Sequence, residues 1–337
     1  MLQAFLFLYR CIIATRDIFF IFKVVPVNPS SKAEILKYIR LIKQFMKSVF
    51  FITTASLALA VCQKEVEGVL PEALPFEILP DTVNIVPGNI DEASGIADSK
   101  KNDGYCWIQE DSGNPPEITL LSHNGTVVNK VYINGAMNRD WEDMAIGNGP
   151  SAGEPYIYIA ETGDNTSSYA EYAIYRFPEP LSATDTVHTW EKIRFTYPDG
   201  SHDCEAMFVD DATKDIYLVT KRDSLSTVYR LPYPQSTSSV MTAVKESTTR
   251  VSGICGAAIS PDGKEILLKN YLSVYYWKRK TNESIADALK RQPISLGYTL
   301  EPQGEAMCFK KDNSGFFTIS EKPFFANHVS LNFYRRK

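Results

Sequence analysis

The stretch "NRDWEDMAIGNGPSAGEPYIYIAETGDN", residues 138 to 165, sets five of its six carboxylates (Asp140, Glu142, Asp143, Glu161 and Asp164) around a run that reads as a fully buried strand. Acids gathered in this way hold a hard cation through their oxygens, meet a polar ligand, or merely close turns. Like charges in a partly desolvated cleft repel one another. A cation, a basic partner such as Arg139, or backbone N–H donors must therefore offset them. "DSGN" (111–114) and "TGDN" (162–165) combine Asp, Gly and Asn as calcium loops do, and as ordinary turns also do. The structural reading of "NRDWED" is an inter-blade network of charge and hydrogen bonds that holds Trp141 against its neighbour. Signatures of common catalytic machinery are missing: the chain has no G-x-S-x-G elbow, no phosphate-binding G-x-x-x-x-G-K-[ST], no H-E-x-x-H and no EF-hand loop.

The elements that must position these acids repeat along the chain. "DEASGIA" (91–97), "WEDMAIG" (141–147), "CEAMFVD" (204–210), "CGAAISP" (255–261) and "GEAMCFK" (304–310) align on Glu92, Glu142, Glu205, Gly256 and Glu305. The intervals between these anchors are 50, 63, 51 and 49 residues, a period that signals repeat architecture. A second strand follows each anchor ("YCWIQED", "PYIYIAET", "DIYLVTKR", "EILLKNY", "GFFTISEK"), after turns such as "DDATKD" and "SPDGKE". A third strand then appears in each unit, from "EITLLS" to "HVSLNFY". Several strands per 50-residue unit predict an all-β fold, a β-propeller. Five blades are expected, with six as the alternative because of the long second interval and the extra strand "FEILPDTVNIVPG". That N-terminal strand, within residues 76–88, is expected to close the ring against the strand at 329–335.

In such a ring the inner strand of each blade begins on the face where the second strand ends. Glu92 and Asp111, then Glu142, Glu161 and Asp164, then Glu305 and Glu321 are expected to crowd that face. His202, Asp203 and Glu205 stand just ahead of or within the third anchor. Lys221, Arg222, Lys269 and Lys322 would reach the same face from the later blades. The metal-ligand candidates are thus Glu92, Asp111, Asp140, Glu142, Asp143, Glu161, Asp164, Glu205 and Glu305. The ligand-binding candidates are Arg139, His202, Asp203, Lys221, Arg222, Lys269 and Lys322. Repetition of a Glu at four of five anchors also fits a structural device, each carboxylate accepting backbone N–H bonds from the next blade.

"EASGIA…WIQEDSGN", "NRDWEDMAIG…YIYIAETGDN…YAIYRFPEP", "DCEAMFVD…IYLVTKR…VYRLP", "SGICGAAISPDGKEILLKNY" and "QGEAMCF" together resemble a group of exported bacterial β-propeller proteins. The resemblance spans roughly residues 84–335. It extends more distantly to the esterase-like phytase and SMP-30-type propellers. It implies a propeller and export, and no particular reaction. In the SMP-30-type enzymes a divalent cation sits in the central channel; by that resemblance Glu92, Glu142, Glu205 and Glu305 would hold it, with Gly256 breaking the ring.

The N-terminus reads as targeting sequence. From Met46 a single Lys precedes the apolar run Val49 to Val61 and then Cys62, the layout of a secretory signal. "LALAVC" resembles a lipobox, with Val61 where such signals carry Gly, Ala or Ser, and so predicts lipidation at Cys62. Residues 1–45 are read as an early-assigned start, with a membrane anchor near 2–27 as the rival. Residues 46–62 are the signal, 63–75 a linker and 76–337 the propeller. Cys106, Cys204, Cys255 and Cys308 read as small buried thiols, with a disulfide left open.

A net charge of −5, with no Lys/Arg run longer than Arg335–Lys337, sets nucleic acid aside. Two functions stay open. One is a monomeric, lipid-anchored cell-envelope module, in the periplasm or at the outer membrane or cell surface. It would bind a small molecule, glycan or protein partner through the channel face. The other is a hydrolase of phosphoesters or lactones that depends on Ca²⁺ or another divalent cation.

Overall fold

The computed structural model describes residues 4–14, 17–27, 74–322 and 328–337. It divides into two compact units, Met1–Ala73 and Leu74–Lys337. In the first, Ala4–Ala14 and Asp17–Val27 form an antiparallel hairpin. The signal segment 46–62, Cys62 and the linker up to residue 73 lie outside the described residues. Among the described residues no helix is long and apolar enough to cross a membrane.

The second unit is a five-bladed propeller. Its blades begin with the inner strands Ala93–Asp98, Trp141–Asn148, Cys204–Val209, Gly256–Ile259 and Gly304–Phe309. Each pairs antiparallel with the second strand expected from the sequence, and each second strand with the third. The inner strands pack side by side around the ring, the last against the first. Nearly every residue of the inner and second strands is buried, because alternate side chains enter the cores on either side of a blade. There are five such cores, one between each pair of adjacent blades, which fixes the blade number at five.

The N-terminal strand does not begin a sixth blade. Asp81–Asn84 is the outer strand of blade 5 and pairs antiparallel with Ser330–Arg335, Leu331 opposite Val83 and Phe333 opposite Asp81. Phe76 adds a bridge to Arg336. Closure by this pairing removes a free edge from the ring.

The 63-residue interval comes from the longer strands of blade 2 and from the ten-residue loop 162–171 between its second and third strands, where blade 3 has the six residues 221–226. In blade 2 the connection from the third strand (Tyr172–Pro178) to the outer strand (Glu191–Thr196) swings out and lays Thr186–Val187 parallel to the outer strand of blade 1. The matching connection of blade 3 lays Met241–Thr242 along the edge of blade 2. In blade 4 it is instead a short helix, Ile285–Lys290, capped by Ser284, whose Ile285, Ala288 and Leu289 pack into the core between blades 3 and 4. Each connection covers the edge of the preceding blade.

Candidate site at the channel mouth

Four of the five inner strands carry a one-residue bulge where they enter the channel. Pairing with the second strand jumps from Ala93 to Gly95, Trp141 to Asp143, Cys204 to Ala206 and Gly304 to Ala306. A bulge re-aims the skipped side chain, and the skipped residues are Ser94, Glu142, Glu205 and Glu305. Ser94, rather than Glu92, is therefore the counterpart of Glu142. Glu92 lies two residues upstream and exposed, its carboxylate accepting from Asn114 Nδ2 at 2.7 Å. The inner strand of blade 4 has no bulge: Gly256 faces Lys269, and a Cβ on Gly256 would run into the Glu305 carbonyl oxygen. Carboxylates thus enter at this level from three blades instead of four.

Two acid groups share one member. Oxygens of Asp111, Asp140 and Glu142 lie within 4.8 Å of one another, and so do oxygens of Glu142, Asp203 and Glu205. Glu142 is 4% exposed. Among the described residues its carboxylate has neither a hydrogen bond nor an ion pair. Burial, then the charges of Glu205, Asp111 and Asp140, push its carboxyl well above the ordinary range. Burial raises Asp111 to about 6, with Asp140 and Glu305 adding and the Ser112 N–H opposing. Asp140 is raised as well, chiefly by burial. Glu321, facing Glu305 and Asp111, is raised to about 7 by burial and by those charges.

The opposite side of the mouth is paired. Lys221 Nζ contacts Glu205, lies 3.5 Å from Glu305 Oε1 and donates to the Tyr271 hydroxyl at 2.9 Å. Tyr271 in turn donates to Glu305 Oε1 at 2.5 Å. Burial works against the Lys221 charge, but Glu205 more than offsets it and raises the ammonium above its usual range. Burial lifts Glu205 to about 8 even with Lys221 pulling it down. Below this level Ile96, Met144, Met207 and Met307 line the channel.

Several sequence candidates are absent from the cluster, each for a visible reason. Asp143 is fully buried and accepts backbone N–H bonds from Met144 and from Met207 of blade 3, both at 2.7 Å; it is a tie between blades. Glu161 lies on the blade 1 side of its strand, 3.5 Å from Lys192 Nζ. Asp164 accepts from the Ser168 and Tyr169 amides and the Tyr172 hydroxyl. Against the penalty of burial, these donors hold its carboxyl below the usual range, so "TGDN" is a self-satisfied turn. Its part in the site is Gly163, which lies against the carboxylates of Asp140 and Glu142 with no room for a Cβ.

Arg139 pairs with no carboxylate of this cluster. Its guanidinium stacks over Tyr169 at 4.1 Å and reaches the Glu171 and Glu161 carbonyls. Trp141 is fully buried against Tyr175, and Asn138 binds the Glu110 and Asp111 carbonyls, so the structural reading of "NRDWED" holds for Asn138 and Trp141. Asp203 accepts from the Asp164 amide at 2.7 Å and meets Arg222 Nε at 2.6 Å. Arg222 also reaches Asn165 at the rim. His202 turns aside into a network with Asp199, Asp223 and Tyr229. Lys269 is fully buried and donates to the Gly304 carbonyl, 3.8 Å from Glu301. Lys322 pairs with Asp91 across the junction of blades 5 and 1.

The mouth therefore presents Asp111, Asp140, Glu142, Asp203, Glu205 and Glu305 around a channel lined further down by apolar side chains, with Lys221, Tyr271 and Arg222 on one flank. Tyr271 and Gly163 escape a search for charged motifs, since neither carries a charge. Compared with protein-family models and with curated proteins, the chain matches none.

Proposed function

We propose that the protein is an exported, lipid-anchored propeller of the cell envelope whose channel mouth binds a ligand with the help of a divalent cation of the Ca²⁺ class. The observation that carries this reading is Glu142, a buried and unpartnered carboxylate shared by two groups of acids. An isolated buried carboxylate is costly, and an oxygen-coordinated cation removes that cost. Asp111, Asp140 and Glu142 would be its primary ligands, with Asp203 and Glu205 alongside. Ligand hydroxyls, carboxylates or phosphates would complete the coordination, and Lys221 and Arg222 would meet any negative charge left over. Export and lipidation are supported by the sequence from Met46 to Cys62.

Metal analysis of purified protein, followed by Ca²⁺ titration with and without chelator, tests the cation. One tightly held ion, lost in Glu142→Gln, is the expected result; a chain that ignores both ion and chelator overturns it. Incorporation of labelled palmitate into the wild type but not into Cys62→Ser tests the anchor.

A second reading rests on the sharing itself. With Glu142 common to both groups, two cations could sit side by side, an arrangement that stabilises both oxygens of a hydrolytic displacement. A screen of phosphoesters, carboxylic esters and lactones, with and without chelator, separates this hydrolase from a binding module.

A further inference from the structure

At the other end of the inner strands, on the junction between the first and last blades, a second set of ligand side chains converges. Asp98 Oδ1 stands 2.7 Å from His123 Nε2 and 3.5 Å from Cys106 Sγ, and one donor atom from each of the three falls within 4.8 Å of the others. Cys308 enters the same core from blade 5, outside that group of three. We propose that Asp98, Cys106, His123 and Cys308 form a zinc site that clamps blade 5 to blade 1, separate from the channel mouth.

Two sulfurs, an imidazole and a carboxylate form a donor set that zinc takes in tetrahedral geometry and that Ca²⁺ or Mg²⁺ does not favour. The ligands are held from outside, as metal ligands usually are. The Lys311 amide donates to Asp98 Oδ2 at 2.7 Å, and the Phe317 ring lies 4.7 Å from that of His123; both come from blade 5. Asp98 and Cys106 are almost completely buried. On binding, Cys106 and Cys308 each lose a proton to solvent and become thiolates. The proton shared by His123 Nε2 and Asp98 Oδ1 moves to His123 Nδ1 or to solvent, freeing the Nε2 lone pair and the carboxylate oxygen to turn to the ion, and Cys308 closes on it as the fourth ligand; no electrons are exchanged. Tetrahedral zinc needs its nitrogen and oxygen ligands about 3.3 Å apart, so the His123–Asp98 pair would open by roughly half an ångström. Such a clamp would join the two blades at which the ring closes.

The test uses the full chain, stripped by chelator and reloaded with Zn²⁺ or Co²⁺. Co²⁺ is expected to give a near-ultraviolet sulfur-to-cobalt charge-transfer band that Zn²⁺ abolishes. Cys308→Ser should lower that band, and His123→Gln should weaken zinc binding by about tenfold or more. Glu142→Gln, at the opposite end of the channel, should leave the band unchanged. A wild-type protein that binds Co²⁺ without a sulfur band overturns the proposal. So does a Cys106–Cys308 disulfide found by mass analysis of the protein as isolated. Failure of Ca²⁺ binding at the mouth would not touch it.

Discussion

Gly163 lies directly against the carboxylate of Glu142, so close that no Cβ fits between them. The glycine of "TGDN" therefore shapes the acid cluster from outside it. Gly163→Ala should push Glu142 and Asp140 out of place, cost about 1–3 kcal/mol through overpacking, and abolish any stabilisation by Ca²⁺. Denaturant unfolding of the variant with and without Ca²⁺ checks both effects. An unchanged midpoint together with an unchanged calcium response would contradict this placement.

Removing the charge of Glu142 itself should act in the opposite direction when no cation is present. Its neighbours Asp111, Asp140, Asp203 and Glu205 are acids, and close like charges cost on the order of a kcal/mol or more per pair. In chelator, Glu142→Gln should therefore melt above the wild type. In excess Ca²⁺ the order should reverse, because only the wild type can gain from the ion. Thermal melts of both proteins in both buffers give the four values needed, and parallel shifts in the two buffers would rule out a shared cation.

The same acids set a pH dependence. Glu205 is raised to about 8, Glu321 to about 7 and Asp111 to about 6, chiefly by burial. In the unfolded chain these groups titrate near their ordinary values, about 4. Between those limits the folded state binds more protons than the unfolded state, so stability falls as pH rises. The cation-free protein should thus be most stable near pH 4 to 5 on account of these groups and lose that increment progressively up to about pH 8. Bound Ca²⁺ favours the ionised carboxylates and should flatten or invert the slope. Unfolding midpoints across this range, with and without chelator, measure it.

The strands, the five blades and the closure by residues 81–84 were legible in the sequence because alternation, turn chemistry and period are local signals. The site was legible only in part. Glu142, Glu205 and Glu305 follow from the anchors, but Glu92 carries the same letters and misses the cluster. Hairpin pairing sets register through the bulge at Ser94, and a one-residue bulge leaves no trace in composition. Asp143 and Asp164 were likewise indistinguishable from ligands by type. What removes them is a set of backbone donors from Met144, Met207, Ser168 and Tyr169, which only the fold assembles. Asp98, Cys106 and His123 went unread as a group because their spacings of 8 and 17 residues match no metal-binding motif, and Cys308 lies far along the chain.

Closure supplies the last prediction. Tyr334 is fully buried in the third strand of blade 5, stacks on Phe316 at 4.7 Å and accepts a hydrogen bond from the Thr299 amide at 3.0 Å. The strand carrying it also holds Asp81–Asn84, so its packing supports both the core between blades 4 and 5 and the pairing that closes the ring. Tyr334→Ala should cost about 3–5 kcal/mol, the range for deleting a large buried aromatic ring. If closure is cooperative, the loss should appear in every blade at once. Hydrogen exchange of the variant should then show faster opening in blade 1 as well as in blade 5, whereas exchange confined to blade 5 would show that the ring holds without its closing strand.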